Sequence, residues 1–167
     1  MEPTIQIKDS SSGETLAIAG GNYRVIISGA ETNGGYAVLE MHVPPGGGPP
    51  PHAHPEMQEM FYVVQGQFEF KTESGKQVVS EAGFVNIPFG GGIHCFKNTT
   101  EKPGVLLCTV IPAGLESYFK EATQFVEPGA PVAPPAMSPE RVKFLKQLDE
   151  KYKQKTYPRD FLDNRTA

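Results

Sequence analysis

The sequence predicts an all-β domain, a barrel or sandwich of short strands, followed by a C-terminal helical extension. Short runs rich in Val, Ile, Tyr and Phe recur between residues 15 and 112, and turn-forming segments such as ETNGG, ESGK and FGGG separate them. Many short strands joined by tight turns are typical of all-β barrels and sandwiches. Helical spacing of apolar residues begins only after this region.

The strands are expected at the apolar runs. In chain order these runs are TLAIAG, YRVIISG, YAVLEMHV, MFYVVQG, QFEFKT, KQVVS, GFVNIP, GIHCFKN and GVLLCTVIP. A short helix is expected from Gly114 to Ala122, after the last strand. A second helix is expected to begin at Ser138, a good N-cap, because Pro139 suits the first helical position.

The Pro-rich segment VEPGAPVAPPAMSP lies between the two expected helices and predicts an extended spacer. We therefore divide the chain into a β domain, residues 1–126, and a spacer with a C-terminal helix, residues 127–167.

Composition excludes several function classes. The chain has 167 residues, a formal net charge of -4 and 38% hydrophobic residues, which fits one domain with a real core. The mild acidity argues against nucleic acid as a partner, and no apolar run approaches the ~20 residues that span a membrane. The N-terminus lacks the apolar core of a signal peptide. Cys95 and Cys108, the only cysteines, lie in strand-like runs, so a reduced, cytoplasmic setting is expected.

A polar cluster interrupts this pattern in the stretch GGGPPPHAHPEMQEMFYVVQG. His52 and His54 are two residues apart, and residues at this spacing on a strand point to the same face. Strict alternation would place Glu59 on the opposite face. Pro55 fixes φ and lacks a ladder donor, so we expect a bend there that resets the strand and turns Glu59 inward.

The strand after the bend is expected to carry apolar residues on both faces. Phe61 and Val63 share the inward face with Glu59, while Met60, Tyr62 and Val64 face the other way. A strand that is apolar on both faces is typical of one covered on both sides. This pattern also predicts a homodimer, because a small barrel rarely covers both faces alone.

His94 is expected to complete the cluster from a later strand, where it shares a face with Phe96. The chain has only four histidines, and three of them take part in this arrangement. Burying three imidazoles with a carboxylate is costly unless a cation compensates, so these residues predict one divalent metal site. His42 is interpreted as non-ligating. Glu56, in the bend, is expected to be solvated.

These residues resemble the two motifs of the cupin superfamily. The pattern Gly-x5-His-x-His-x4-Glu-x6-Gly fits Gly46, His52, His54, Glu59 and Gly66. The pattern Gly-x5-Pro-x-Gly-x2-His-x3-Asn fits at Gly83, Gly91, His94 and Asn98, but Pro88 comes one residue early and Phe89 holds the proline position. The spacing from Gly83 to His94 is kept, so the histidine is expected to keep its direction.

The resemblance implies an antiparallel jelly-roll β-barrel with a metal inside, near one mouth. It places His52, His54, Glu59 and His94 at the ligand positions. The segment VIPAGLESYFKEA is similar to one in quercetin 2,3-dioxygenase-like cupins, where it forms a helix beside the barrel mouth.

The expected ligand set suits Fe, Mn, Ni, Co, Cu or Zn and leaves positions open for substrate. Our first hypothesis is a metal-dependent dioxygenase of the quercetinase-like type, acting on a small aromatic or enolic compound. Glu59 would serve as ligand and as general base. Phe61, Val63 and Phe96 either line the substrate pocket or pack in the core. The alternatives are an isomerase or lyase on a small carbonyl or sugar, and a non-catalytic binding domain.

Two further features receive structural interpretations. Gly90, Gly91 and Gly92 are not followed by the Lys and Ser/Thr of a phosphate-binding loop, so close backbone approach or a bulge is preferred. Cys95 points away from the predicted metal site and is interpreted as an inert buried thiol.

Overall fold

The computed structural model describes residues 5–18, 21–123 and 136–163. Most of the predicted Pro-rich spacer, and the predicted boundary after residue 126, lie outside these residues. Eleven strands and two α-helices are defined by their hydrogen bonds. In chain order they are β1 (Glu14–Ile18), β2 (Gly21–Ile27), β3 (Ala37–Val43), β4 (His52–Ala53), β5 (Gln58–Gln65), β6 (Gln67–Thr72), β7 (Gly75–Ser80), β8 (Phe84–Ile87), β9 (His94–Asn98), β10 (Gly104–Ile111), α1 (Leu115–Ala122), α2 (Pro139–Lys151) and β11 (Lys155–Thr156). A short 3-10 helix at Gly29–Thr32 interrupts the β region, where no helix was predicted.

The strands form two antiparallel sheets that face each other as a jelly-roll sandwich. The first sheet has six strands in the order β1-β2-β3-β10-β5-β8, and the second has five in the order β11-β4-β9-β6-β7. Within the described residues no strand hydrogen-bonds from one sheet to the other. The expected closed barrel is therefore wrong, since each sheet keeps two edge strands.

The core lies between the sheets. Its largest fully buried side chains are Phe61 of β5 and Phe68 of β6, which are 1% and 0% exposed. Phe96 of β9 packs edge-on against both rings, at centroid distances of 5.6 and 6.0 Å. The parity predicted for β5 holds, because Glu59, Phe61 and Val63 are all buried.

The outer face of β5 is not covered by the described residues. Tyr62 and Val64 are 41% and 48% exposed, and Phe84, the cross-strand partner of Tyr62 on β8, is 59% exposed. The expectation that both faces of this strand are covered is therefore wrong for the part of the chain that the structure describes. Periodicity identified the inner face of β5 correctly. The exposure of the outer face depends on which other segments pack against it, and periodicity does not show this.

Both predicted helices are present, and their caps follow the sequence signals. Helix α1 begins after Gly114. Helix α2 begins after Ser138, whose Oγ accepts a hydrogen bond from the Arg141 N–H at 3.2 Å, with Pro139 in the first position. Within the described part of the chain, neither helix has the length and apolar run that a bilayer crossing requires.

The C-terminal segment folds back onto the sandwich. Leu148 is the buried residue of α2, and the Tyr118 hydroxyl of α1 donates a hydrogen bond to Asp149 of α2 at 3.2 Å. Strand β11 then pairs with β4, with Thr156 opposite His52. This segment is thereby placed over the end of the sandwich that carries the histidines.

Candidate metal centre

The backbone around His52 is held between two neighbouring segments. His52 is the cross-strand partner of His94 on β9, and β11 covers the other side of β4. The preceding glycine loop lies directly on β9. Gly48 has φ +150°, and a Cβ at this position would be 1.9 Å from the Phe96 carbonyl oxygen. Only glycine permits that approach, so the loop brings His52 beside His94.

A tight turn follows β4 and separates His52 and His54 from Glu59. The Met57 N–H donates to the His54 carbonyl at 3.2 Å, and β5 starts one residue before Glu59. The bend expected at Pro55 is present. The Gly90 N–H donates to the Pro55 carbonyl at 3.3 Å, and a Cβ on Gly91 would lie 3.1 Å from Pro55. The glycine run thus allows close backbone approach, as its sequence predicted.

His52, His54 and Glu59 are positioned to hold a metal ion. One ligand atom from each lies within 4.8 Å of those of the other two. The side chains are buried, since the residues are 8%, 6% and 2% exposed. Two imidazoles and a carboxylate buried together provide donors that borderline divalent ions accept.

His94 lies against the same group. It is 0% exposed, its Nε2 is 3.0 Å from Glu59 Oε2, and its ring centroid is 4.4 Å from that of His52. The two atoms are close but are not aligned as a hydrogen bond. Glu59 Oε2 and His94 Nε2 are both buried without a hydrogen-bond partner among the described residues. Unpartnered buried polar atoms are costly, and a shared cation would satisfy both.

Backbone carbonyls orient two of the imidazoles. His52 Nδ1 lies 3.0 Å from the Pro50 oxygen, and His94 Nδ1 lies 2.8 Å from the Gly92 oxygen. A carbonyl only accepts, so each Nδ1 carries the hydrogen and each neutral ring keeps its lone pair on Nε2. Histidine ligands are commonly fixed in this way by a bond from the second ring nitrogen.

The charges of the metal-free cluster are set by burial and by mutual contact. Burial, and then the charge on His94, lower the pKa of His52 to about 3. Burial also lowers the pKa of His54. Burial alone would raise the pKa of Glu59, but His94 first, and then the other imidazoles, hold it at about 2. Burial opposes a charge on His94, yet the Glu59 carboxylate outweighs it and raises that pKa.

The donor set therefore fits a divalent transition metal. At neutral pH, His52 and His54 are neutral and Glu59 is ionised, which are the protonation states that metal ligands need. A cation in this position would stabilise the Glu59 carboxylate by direct charge interaction.

A cavity of about 890 Å³ opens onto His52, His54 and Glu59. Phe61 and Phe96 line it, as the substrate-pocket interpretation expects, whereas Val63 is fully buried in the core and does not reach the lining. His42 is half exposed and lies 3.0 Å from Glu40. Glu56 is exposed and pairs with Lys153 at 2.7 Å.

Cys95 is half-buried and lies outside this cavity. Burial raises the pKa of its thiol, which keeps it protonated and agrees with an unreactive role.

Sequence reasoning missed the part of the cavity wall that the C-terminal segment forms. Tyr118 of α1, Asp149 of α2 and Gln154 after α2 all line the cavity. Charged residues on a helix such as α2 ordinarily indicate a solvated face. Nothing in the local sequence shows that this helix folds back over the candidate metal centre.

Comparison with known families agrees with this geometry. Residues 39–110 match the cupin domain family. This part of the chain is therefore similar to a cupin domain. It holds the four clustered side chains, His52, His54, Glu59 and His94. No protein with curated annotation matches the sequence significantly.

Several solved structures share the fold at low identity. The KdgF structure from Halomonas sp. superposes with a TM-score of 0.59 at 17% identity, covering 68% of this chain and 99% of that one. An RmlC-like cupin from Shewanella frigidimarina gives 0.56 at 18%, covering 70% and 99%. A predicted oxalate decarboxylase from Thermotoga maritima gives 0.56 at 20%, covering 64% and 99%. At these identities the similarity establishes the fold.

Proposed function

We propose that this protein is a metal-dependent cupin oxygenase that acts on a small aromatic or enolic compound, with His52, His54, Glu59 and His94 as the metal ligands. The observation that carries this proposal is the convergence of three imidazoles and one carboxylate, of which His52, His54 and Glu59 line a largely apolar cavity and His94 lies directly behind them. A divalent transition metal bound there supplies a Lewis acid with open coordination positions and, if it is redox-active, a route for electrons to dioxygen.

The cavity favours an apolar substrate. Its volume of about 890 Å³ suits a molecule of one to a few rings. Apolar side chains dominate the wall, among them Tyr23, Met41, Phe61, Phe96, Leu115 and Phe119. Such a wall excludes water and orients a flat ring by contact with aromatic faces and edges.

Glu59 would handle the proton. Its carboxylate is ionised at neutral pH, because contact with the imidazoles holds its pKa at about 2. A carboxylate this weakly basic accepts a proton most readily from an acidic hydroxyl, which favours an enol, an enediol or a phenol over a sugar alcohol.

The same donors also suit a lyase or isomerase, in which the proton transfer by Glu59 takes place without oxygen. The neighbouring carboxylate and neutral imidazoles can serve either reaction. Substrate conversion must therefore be measured with and without dioxygen.

The test begins with elemental analysis of protein purified without a nickel column. The metal-free protein is then reconstituted with Fe, Mn, Ni, Co or Cu, and oxygen uptake is measured on flavonols and enediols. We expect uptake with at least one metal and its loss in Glu59→Gln. Conversion that proceeds equally well under nitrogen would favour the lyase or isomerase. No uptake with any metal on any of these compounds would overturn the oxygenase proposal.

A further inference from the structure

We propose that Tyr118, Asp149 and Gln154 form a second polar site in the cavity, which binds a hydroxyl group on the part of the substrate remote from the metal. This inference rests on the proposed function, since it assumes that the chelating end of the substrate lies at His52, His54 and Glu59.

The three side chains meet from different parts of the C-terminal region. The Tyr118 hydroxyl donates to Asp149 Oδ1 at 3.2 Å, and Gln154 Nε2 donates to the same oxygen at 3.1 Å. Gln154 Nε2 is also 3.3 Å from the Tyr118 hydroxyl and 3.3 Å from Thr156 Oγ1. These contacts fix the orientation of the carboxylate, which is what a binding group requires.

The cluster faces the same space as the metal ligands. Tyr118, Asp149 and Gln154 line the cavity together with His54 and Glu59. One cavity of about 890 Å³ therefore has both the candidate metal ligands and the three polar side chains on its wall.

The acceptor capacity of Asp149 indicates what the site binds. Both internal hydrogen bonds go to Oδ1, and Oδ2 has no hydrogen-bond partner within the described residues. A carboxylate accepts on both oxygens, so Oδ2 is available to a donor on the ligand.

Charge selects among the possible donors. Arg141, Lys146 and Arg159 line the same cavity, and their positive charges disfavour an ammonium group. A neutral donor remains, which is the hydroxyl of a phenol or an alcohol. The inferred substrate therefore carries a chelating oxygen pair, an apolar ring system and a separate hydroxyl group.

A merely structural role for the cluster predicts something different. The hydrogen bond from Tyr118 to Asp149 connects α1 to α2. If its role is only structural, its loss lowers the free energy of unfolding and leaves ligand preference unchanged. A binding role also changes the preference between ligands that differ by one hydroxyl, because a site that hydrogen-bonds a hydroxyl rejects the analogue that lacks it.

The experiment uses zinc-loaded protein, in which no oxidation occurs, and calorimetry with 3-hydroxyflavone and its derivatives that carry one further hydroxyl on either ring. We expect wild type to bind the best derivative about tenfold or more tightly than 3-hydroxyflavone, and Asp149→Asn and Tyr118→Phe to reduce this preference to about twofold or less. Glu150→Gln is the matched control, since it makes the same charge change on an exposed position of α2 outside the cavity wall, and it should keep the wild-type preference.

The outcomes separate this inference from the proposed function. Binding of zinc and 3-hydroxyflavone with no preference among the derivatives, or an unchanged preference in Asp149→Asn, would overturn the hydroxyl site and leave the metal centre standing. Failure to bind zinc and every metal used in the reconstitution would overturn the proposed function. The same titrations on metal-free protein then decide the inference, and equal affinity of wild type and Asp149→Asn for every derivative would overturn it.

Discussion

His52 and His94 are direct cross-strand partners on β4 and β9, and their ring centroids are 4.4 Å apart. One residue comes from each of the two sequence motifs, so the pairing of these strands is what joins the motifs. Strand β11 pairs with the other side of β4 and places Thr156 opposite His52. The C-terminal segment thus stabilises the strand that presents the first histidine.

Replacing His94 with alanine should weaken metal binding by about 100-fold or more, because it removes the imidazole that contacts both Glu59 and His52. The core on either side is unchanged, so the sandwich should still fold. Metal content by elemental analysis and the near-UV circular dichroism spectrum measure the two effects. His42→Ala, on an exposed side chain, is the control. Full metal content in the His94 variant would contradict its assignment as a ligand.

The metal-free protein should lose stability as the pH falls below 6.5. The unfolded chain takes up a proton near this pH on each histidine, whereas burial lowers the pKa of folded His52 to about 3 and also lowers that of His54. In this range, each histidine that stays neutral in the folded state lowers the free energy of unfolding by about 1.4 kcal/mol per pH unit of acidification. Below pH 4.5, Glu59 adds to the loss, because its folded pKa is about 2.

His94 has the opposite effect on the pH dependence of stability. Its pKa is raised in the folded state by Glu59, so its contribution is complete below pH 6.5 and is lost as the pH rises through the folded value. Urea unfolding of chelator-treated protein at a series of pH values tests the acid limb. We expect His52→Gln to flatten it and His42→Gln to leave it unchanged. An acid limb that does not respond to His52→Gln would disprove this account.

Asn98 should matter for stability rather than for metal binding. It is fully buried, and its Nδ2 donates to the carbonyls of Val43 and Lys102 at 2.9 and 2.8 Å. Its Oδ1 accepts from the Thr100 N–H and hydroxyl. Asn98→Ala should lower the free energy of unfolding by roughly 2–4 kcal/mol, since buried partners lose their bonds. The test is urea unfolding together with metal titration; a stable variant with weakened metal affinity would be the opposite of what we expect.

Two glycines of the loop before β4 should respond differently to alanine. Both have positive φ, but a Cβ on Gly48 would meet the Phe96 carbonyl at 1.9 Å, whereas one on Gly46 has only Lys97 Cε at 4.0 Å. Gly46→Ala should cost about 1 kcal/mol from backbone strain alone. Gly48→Ala should cost more than about 2 kcal/mol and displace His52. Chemical denaturation compares them, and equal losses would show that the contact with β9 is unimportant.

The uncovered outer face of β5 and β8 leads us to propose a homodimer. Tyr62 and Phe84 are cross-strand partners, and both are exposed together with Val64. Exposed apolar residues grouped in this way are typical of an interface. Light scattering at micromolar concentration should show a dimer that Phe84→Glu converts to monomer. Phe89→Glu, at an exposed aromatic residue in a loop, should not change the mass. A monomeric wild type would refute the proposal.

Much of the candidate metal centre could be predicted because its signals are local. The spacing of His52 and His54, the bend at Pro55 and the inward parity of Glu59 each follow from the geometry of a few neighbouring residues. The N-cap at Ser138 is equally local. The position of His94 beside Glu59 needed the second motif, since periodicity alone does not say which strands pair.

By itself the sequence determined the strand-rich architecture, the face that each residue of β5 presents, and the histidine and glutamate residues that meet. The tertiary structure alone decided that the two sheets stay open at their edges, that Tyr62 and Val64 remain exposed, and that Asp149 lies over the cavity. The physical reason is the distance along the chain over which each effect acts. Backbone geometry fixes the direction of a side chain within a few residues, whereas burial and sheet closure depend on contacts between segments far apart in the chain.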